Sequence, residues 1–162
     1  MNHINFNFKR NIAKNLIIPL AFAASTAFAG IDVTFIVDES GSMGDDQADV
    51  QDNANSIFAG LPAGSHAAVI GYGGNPSAPR LVQAMTDDSG VFASGVAQLN
   101  TSGSFEPGYL ATVNTATDAL PQGSINYTGD PVCHVLISDE PLAQGSTPTQ
   151  QDAIDALVNQ PS

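Results

Sequence analysis

Ile31-Asp32-Val33-Thr34-Phe35-Ile36-Val37-Asp38-Glu39-Ser40-Gly41-Ser42-Met43 is the stretch that decides the fold. Its first seven residues are almost continuously apolar and rich in β-branched side chains, the composition of a strand buried on both faces. Where that run ends, a carboxylate and two hydroxyls follow at i, i+2 and i+4: Asp38, Ser40 and Ser42. Hard oxygen donors at this spacing suit Mg²⁺, Mn²⁺ or Ca²⁺. The chain is therefore expected to bind through a metal ion rather than to turn over a substrate.

Working outward, the pattern alternates between strand and helix. Asp45 to Leu61 carries Val50, Ala54, Ile57, Phe58 and Leu61 at helical spacing, with two acidic residues at its start and Gly60 and Pro62 at its end. Ala67 to Tyr72 reads as a second buried strand, closed by the turn Gly73-Gly74-Asn75-Pro76. Arg80 to Met85 reads as a short edge strand. Thr86-Asp87-Asp88 caps a helix that shows Val91, Phe92, Val96 and Leu99 on one face. A polar Ser/Gly loop, Thr101 to Gly108, leads through Pro107 into a helix with Leu110, Val113, Ala116 and Leu120 on its apolar face. Val132 to Ile137 is the third strongly apolar strand, and Thr147-Pro148-Thr149-Gln150 reads as a capping box before the helix with Ala153, Ile154, Leu157 and Val158. Apolar strands alternating with amphipathic helices predict an α/β fold with a mainly parallel sheet and helices on both faces. Ligands of such sheets bind at the carboxyl ends of the strands, near a switch point in strand order. Two strands end there in a carboxylate, Asp38 and Asp139.

The first 29 residues read as a signal peptide rather than as part of the fold. Lys9, Arg10 and Lys14 precede the apolar run Leu16 to Ala24, and Ala27-Phe28-Ala29 has the small-x-small pattern of a cleavage site. The expected product is one exported domain, 30–162, that is periplasmic, surface-bound or extracellular. All sixteen acidic residues lie after Gly30 and Arg80 is the only Lys or Arg there, so this part carries a formal net charge of −15. Such a surface repels nucleic acid and anionic lipid, and no later segment reads as a membrane span. Cys133 is the single cysteine, so no intrachain disulfide forms; inside its apolar run it is expected to be a small buried residue.

The motifs Val37-Asp38-Glu39-Ser40-Gly41-Ser42-Met43, Ile70-Gly71-Tyr72-Gly73 and Leu136-Ile137-Ser138-Asp139-Glu140 together resemble a von Willebrand factor type A domain of the secreted bacterial type. The resemblance covers essentially all of 31–159, and its first motif is that family's D-x-S-x-S metal-ion-dependent adhesion site. It implies a Rossmann-like sheet and a divalent cation, usually Mg²⁺, at the top of that sheet. It implies that Ser40 and Ser42 ligate directly, that Asp38 and Asp139 contribute mostly through water, and that a protein partner's acidic side chain completes the coordination. The family's usual fifth contributor is a threonine in the middle loop. Ungapped alignment puts Phe105 at that position, which leaves Ser104, one residue earlier, or Glu106, acting through water, to stand in. The family sheet also carries further strand–helix units after the Asp139 strand, so the chain is read as incomplete at its C-terminus.

Other constellations are weaker. Met43 stands where an EF-hand loop needs glycine, and a strand precedes it instead of a helix. A serine hydrolase built on Ser40 or Ser42 lacks a G-x-S-x-G elbow and a recognisable base: His134 lies in an apolar run, as a satisfied core histidine does, and His66 is expected at the surface. Glu39 and Glu140 read as solvated loop carboxylates. The expectation is thus a non-enzymatic adhesion module, with a vestigial domain lacking metal as the alternative.

Overall fold

The computed structural model of the chain describes residues 30–140 and 147–160. The leader read at 1–29 lies outside the described residues. Four strands, β1 (Asp32–Asp38), β2 (His66–Tyr72), β3 (Arg80–Thr86) and β4 (Val132–Ile137), form one sheet in the order β3-β2-β1-β4. β1 pairs in parallel with β2 on one side and with β4 on the other, while β3 runs antiparallel to β2. The sheet is therefore mixed and mainly parallel, as the alternating pattern predicts. Strand order reverses around β1, so the carboxyl ends of β1 and β4 flank a switch point.

Four helices, α1 (Gly44–Ala59), α2 (Ser89–Val96), α3 (Gly108–Ala116) and α4 (Gln150–Val158), cover the two faces. Every residue of β1 is buried, and period-two alternation sends its side chains to different cores. Val33, Phe35 and Val37 meet Ala54 of α1 and Phe92 and Val96 of α2. Ile36 joins Ile70, Tyr72, Ala111 of α3, Leu120 and Ile125 on the other face. Phe92 anchors the first core, its ring centroid 5.3 Å from Phe35 and 5.5 Å from Phe58. Full burial of a side chain this size stabilises the fold by roughly 1.5–3 kcal/mol. Among the described residues, no helix is long and apolar enough to cross a membrane.

Several local readings shift. α1 ends at Ala59, so Leu61 lies beyond the helix. The Asp88 carboxylate caps α2 as expected, accepting from the backbone N–H groups of Gly90 and Val91. Pro107 is the N-cap of α3 rather than a first-turn residue. The buried face of α3 is Ala111, Thr112, Thr115 and Ala116, with Leu110 and Val113 only half-buried. The threonines tolerate burial because their hydroxyls donate to the carbonyls of Gly108 and Ala111, one turn back. The α4 capping box lies two residues later than the sequence suggests: Thr149, not Thr147, is the N-cap, Asp152 is its reciprocal partner, and Pro148 precedes the helix. Cys133 is exposed, because β4 is an edge strand whose residues are at best half-buried. His134 is satisfied as expected, with Nδ1 2.5 Å from Thr34 Oγ1 and Nε2 2.7 Å from Gln160 Oε1. Burial lowers its pKa.

Candidate metal site at the carboxyl edge of the sheet

β1 ends at Asp38, and its buried carboxylate is fully engaged. Oδ1 accepts from the Ser40 backbone N–H at 2.8 Å, and Oδ2 accepts from Ser138 Oγ, just past β4, at 3.0 Å. Burial, with a smaller contribution from the charge on Asp139, holds this carboxyl above its ordinary range. The Asp38 turn folds the chain back so that Ser40 Oγ and Ser42 Oγ lie 3.0 Å apart, and Ser42 Oγ donates to Asp139 Oδ1 at 3.2 Å. Asp38, Ser40, Ser42 and Asp139, read from two distant parts of the sequence, thus stand together at the switch point. Buried Gln47 of α1 braces the turn, donating to the carbonyls of Asp38 and Asn100.

The middle loop lies alongside this turn. Ser40 and Gly103 form an isolated parallel bridge, and Gly41 N–H donates to the Gly103 carbonyl at 2.9 Å. Phe105, at the family's threonine position, is 54% exposed. Ser104 is exposed too and lines a shallow hollow with Asn75, Ser77, Ser102 and Phe105. Glu106 is the loop residue directed at the turn. Its pKa is pushed up to about 7 by partial burial and by the charges of Asp38, Glu140 and Asp139, which marks its carboxyl as a close neighbour of the turn.

Glu39, expected to be solvated, is 1% exposed and sits beneath the site. Arg80 reaches it from β3 with a two-pronged pair of hydrogen bonds, Nε to Oε2 at 3.0 Å and Nη2 to Oε1 at 2.6 Å. Asn100 N–H adds a third bond to Oε1 at 2.9 Å. Gly71 makes this possible: a Cβ there would lie 2.3 Å from Glu39 Oε2. Gly73 follows with φ +81°, a left-handed turn that glycine adopts without strain. Glu140 is exposed, as the sequence suggests.

The donor set fits a hard divalent cation. Ligands at 2.0–2.1 Å on an octahedral Mg²⁺ lie about 3 Å from their neighbours, which matches the Ser40–Ser42 and Ser42–Asp139 separations. Converging carboxylates with raised pKa values also call for positive charge, and Arg80 is already committed to Glu39. Among the described residues, neither histidine stands beside Ser40 or Ser42. His66 opens β2 at the opposite edge, roughly 20 Å away along a seven-residue strand. His134 is held by Thr34 and Gln160.

Comparison with known proteins agrees with the fold. The family model described as von Willebrand factor type A domain matches residues 33–141. The chain belongs to the von Willebrand factor type A family. Among solved structures it is similar to proximal thread matrix protein 1 from the mussel byssus, with TM-score 0.64 and 13% identity over 82% of this chain and 36% of that one. It is also similar to a von Willebrand factor type A protein from Catenulispora acidiphila, with TM-score 0.56 and 19% identity over 83% of this chain and 32% of that one. It also matches the vWF domain of the type V pili tip protein Mfa5 from Porphyromonas gingivalis, with TM-score 0.49 and 16% identity over 72% of this chain and 40% of that one. At these identities the likeness is one of fold, and the chain spans well under half the length of these three relatives. No curated protein matches it by sequence. Membership of the von Willebrand factor type A family makes the chain a candidate protein-interaction or adhesion module, a class that often binds a divalent metal.

Proposed function

We propose that residues 1–29 direct export and that the type A domain, 30–162, engages a protein ligand through a divalent cation at its carboxyl edge. Ser40 and Ser42 would hold the cation directly, Asp38 and Asp139 would do so mostly through water, and Glu106, rather than Ser104, would be the fifth contributor. The single observation that carries this reading is the juxtaposition of Ser40, Ser42 and Asp139 at 3.0 and 3.2 Å, across nearly a hundred residues of sequence.

Mg²⁺ is the favoured ion, with Mn²⁺ or Ca²⁺ as substitutes, because every donor is oxygen. Hydroxyl and water ligands leave much of the cation's charge unneutralised, which favours an acidic side chain of the partner as the last ligand. The surrounding surface, with its excess of carboxylates, repels such a group when no cation is bound. Adhesion is accordingly expected to depend strictly on metal, at a periplasmic, cell-surface or extracellular location.

Calorimetric titration of the full chain with Mg²⁺ and Mn²⁺ tests the reading. One ion per chain should bind with submillimolar affinity, and Asp38→Ala should weaken binding at least tenfold, about 1.4 kcal/mol. Absence of binding at millimolar metal, or affinity indifferent to Asp38→Ala, would refute it.

A further inference from the structure

The amino edge of the sheet carries a second convergence of ligand-type side chains. Asp32 opens β1 and is 0% exposed, a charged residue at the start of an otherwise apolar strand. In the parallel register it stands opposite His66, the first residue of β2. Asp130 lies in the loop that enters β4, and Asp32 N–H donates to the Pro131 carbonyl at 3.0 Å, tying that loop to β1. One ligand atom from each of Asp32, His66 and Asp130 lies within 4.8 Å of the others.

His66 supplies the independent observation. Its Nδ1 is completely buried and has no hydrogen-bond partner. The nearest carboxylate oxygen, Asp32 Oδ1, is 3.6 Å away. That is beyond a hydrogen bond. It is close to the roughly 3.4 Å that separates two ligands on a tetrahedral Zn²⁺ with bonds of about 2.0–2.1 Å.

The carboxylates are already aimed. Thr128 donates its N–H to Asp32 Oδ2 at 2.6 Å and its hydroxyl to Asp32 Oδ1 at 2.9 Å, and the same hydroxyl reaches Asp130 Oδ2 at 3.2 Å. Each carboxylate keeps lone pairs for a further contact, and such outer hydrogen bonds are how metal-ligating carboxylates are oriented. Among the described residues Arg80 is the only Lys or Arg, and it is bound to Glu39 rather than to the buried Asp32 carboxylate.

We propose that Asp32, His66 and Asp130 form a zinc site at the amino edge of the sheet. His66 Nδ1 and one oxygen from each carboxylate are the protein ligands. The imidazole side chain is 28% exposed and Asp130 is half-buried, so the site lies near the surface although Nδ1 and Asp32 are themselves buried, and a water would take the fourth position. One nitrogen and two oxygens favour Zn²⁺ over Mg²⁺, which separates this site from the all-oxygen carboxyl edge. The metal would clip the loop before β4 to the starts of β1 and β2, in a chain whose single cysteine rules out an intrachain disulfide.

The test is zinc content and thermal melting of the full chain, stripped with chelator and then given ZnCl₂ in millimolar MgCl₂. One zinc per chain should be retained, with Tm raised by about 5 °C or more. His66→Gln and Asp130→Asn should each lose the zinc and the shift, whereas Asp38→Ala should keep both. Asp130→Asn is a loop change at a half-buried position, so it provides a folded variant if His66→Gln does not fold. No retained zinc, unchanged zinc content in both amino-edge variants, or loss of zinc in Asp38→Ala would overturn the proposal. The Mg²⁺ titration reports on the carboxyl edge separately.

Discussion

Arg80→Met is expected to destabilise the chain by about 3–5 kcal/mol, because it leaves the Glu39 carboxylate buried without its partner. The normal stability of a domain is about 5–15 kcal/mol, so this one change should remove a large share of it. The cost follows from position. Glu39 is 1% exposed, and the Arg80 guanidinium satisfies both of its oxygens. Replacing both residues, Arg80→Met with Glu39→Met, should recover most of the loss, since a buried ion pair is often worth no more than apolar groups of similar volume. Urea denaturation followed by circular dichroism checks both outcomes. A single variant within about 1 kcal/mol of the parent would show that Glu39 finds another partner or reaches water. The effect should extend to the metal site, because the Glu39 carbonyl also accepts from Ser102 N–H at 3.1 Å and so helps hold the middle loop.

Gly103→Ala is expected to be nearly as damaging, and to act on binding as well as on stability. A Cβ at this position would lie 1.5 Å from the Gly73 carbonyl oxygen and 2.6 Å from that of Gly74. Both are backbone atoms, so no rotamer change relieves the clash. The loop would have to move by about 1.5 Å, at a cost towards the upper end of the 1–3 kcal/mol seen for overpacking. That movement would break the Ser40–Gly103 bridge and draw away Glu106, three residues further on. Mg²⁺ affinity should fall at least tenfold in the same variant. Gly44→Ala is the control, since a Cβ there meets nothing within 4 Å; it should leave stability within about 0.5 kcal/mol. Equal melting and equal Mg²⁺ affinity for Gly103→Ala and Gly44→Ala would contradict the description of the loop.

The architecture is legible in the sequence where burial is complete. β1 and β2 are central strands, so their apolar runs are continuous, and Asp88 announces the start of α2 with a cap that needs no tertiary help. Legibility fades where a residue's environment depends on a distant partner. Glu39 looks like any loop carboxylate beside Asp38; only the pairing of β2 with β3 brings Arg80 across, and only the bare Gly71 makes room beneath. Cys133 sits in an apolar run, but its exposure follows from β4 being an edge strand, which is a fact of strand order. On α3, the buried threonines defeat a purely hydrophobic face count because their hydroxyls bond back into the helix.

The candidate site shows the same division. Asp38, Ser40 and Ser42 are local, and Asp139 is recognisable from its strand-end position. The choice between Ser104 and Glu106 depends on the path of the middle loop, which the Ser40–Gly103 bridge sets and which no spacing rule reveals. At the other edge, Asp32 passes unremarked inside a run that reads as almost continuously apolar. Its meeting with His66 and Asp130 requires the β1–β2 register and the loop before β4.

The most direct measurement is anomalous diffraction from crystals of the full chain loaded with Mn²⁺. The expected result is a peak at the carboxyl edge within coordination distance, about 2.2 Å, of Ser40 Oγ and Ser42 Oγ, with Asp38, Asp139 and Glu106 around it. A map without a peak at that edge, obtained from crystals whose Ser40, Ser42 and Asp139 side chains are ordered, would contradict the assignment of this type A domain as a metal-dependent binding module.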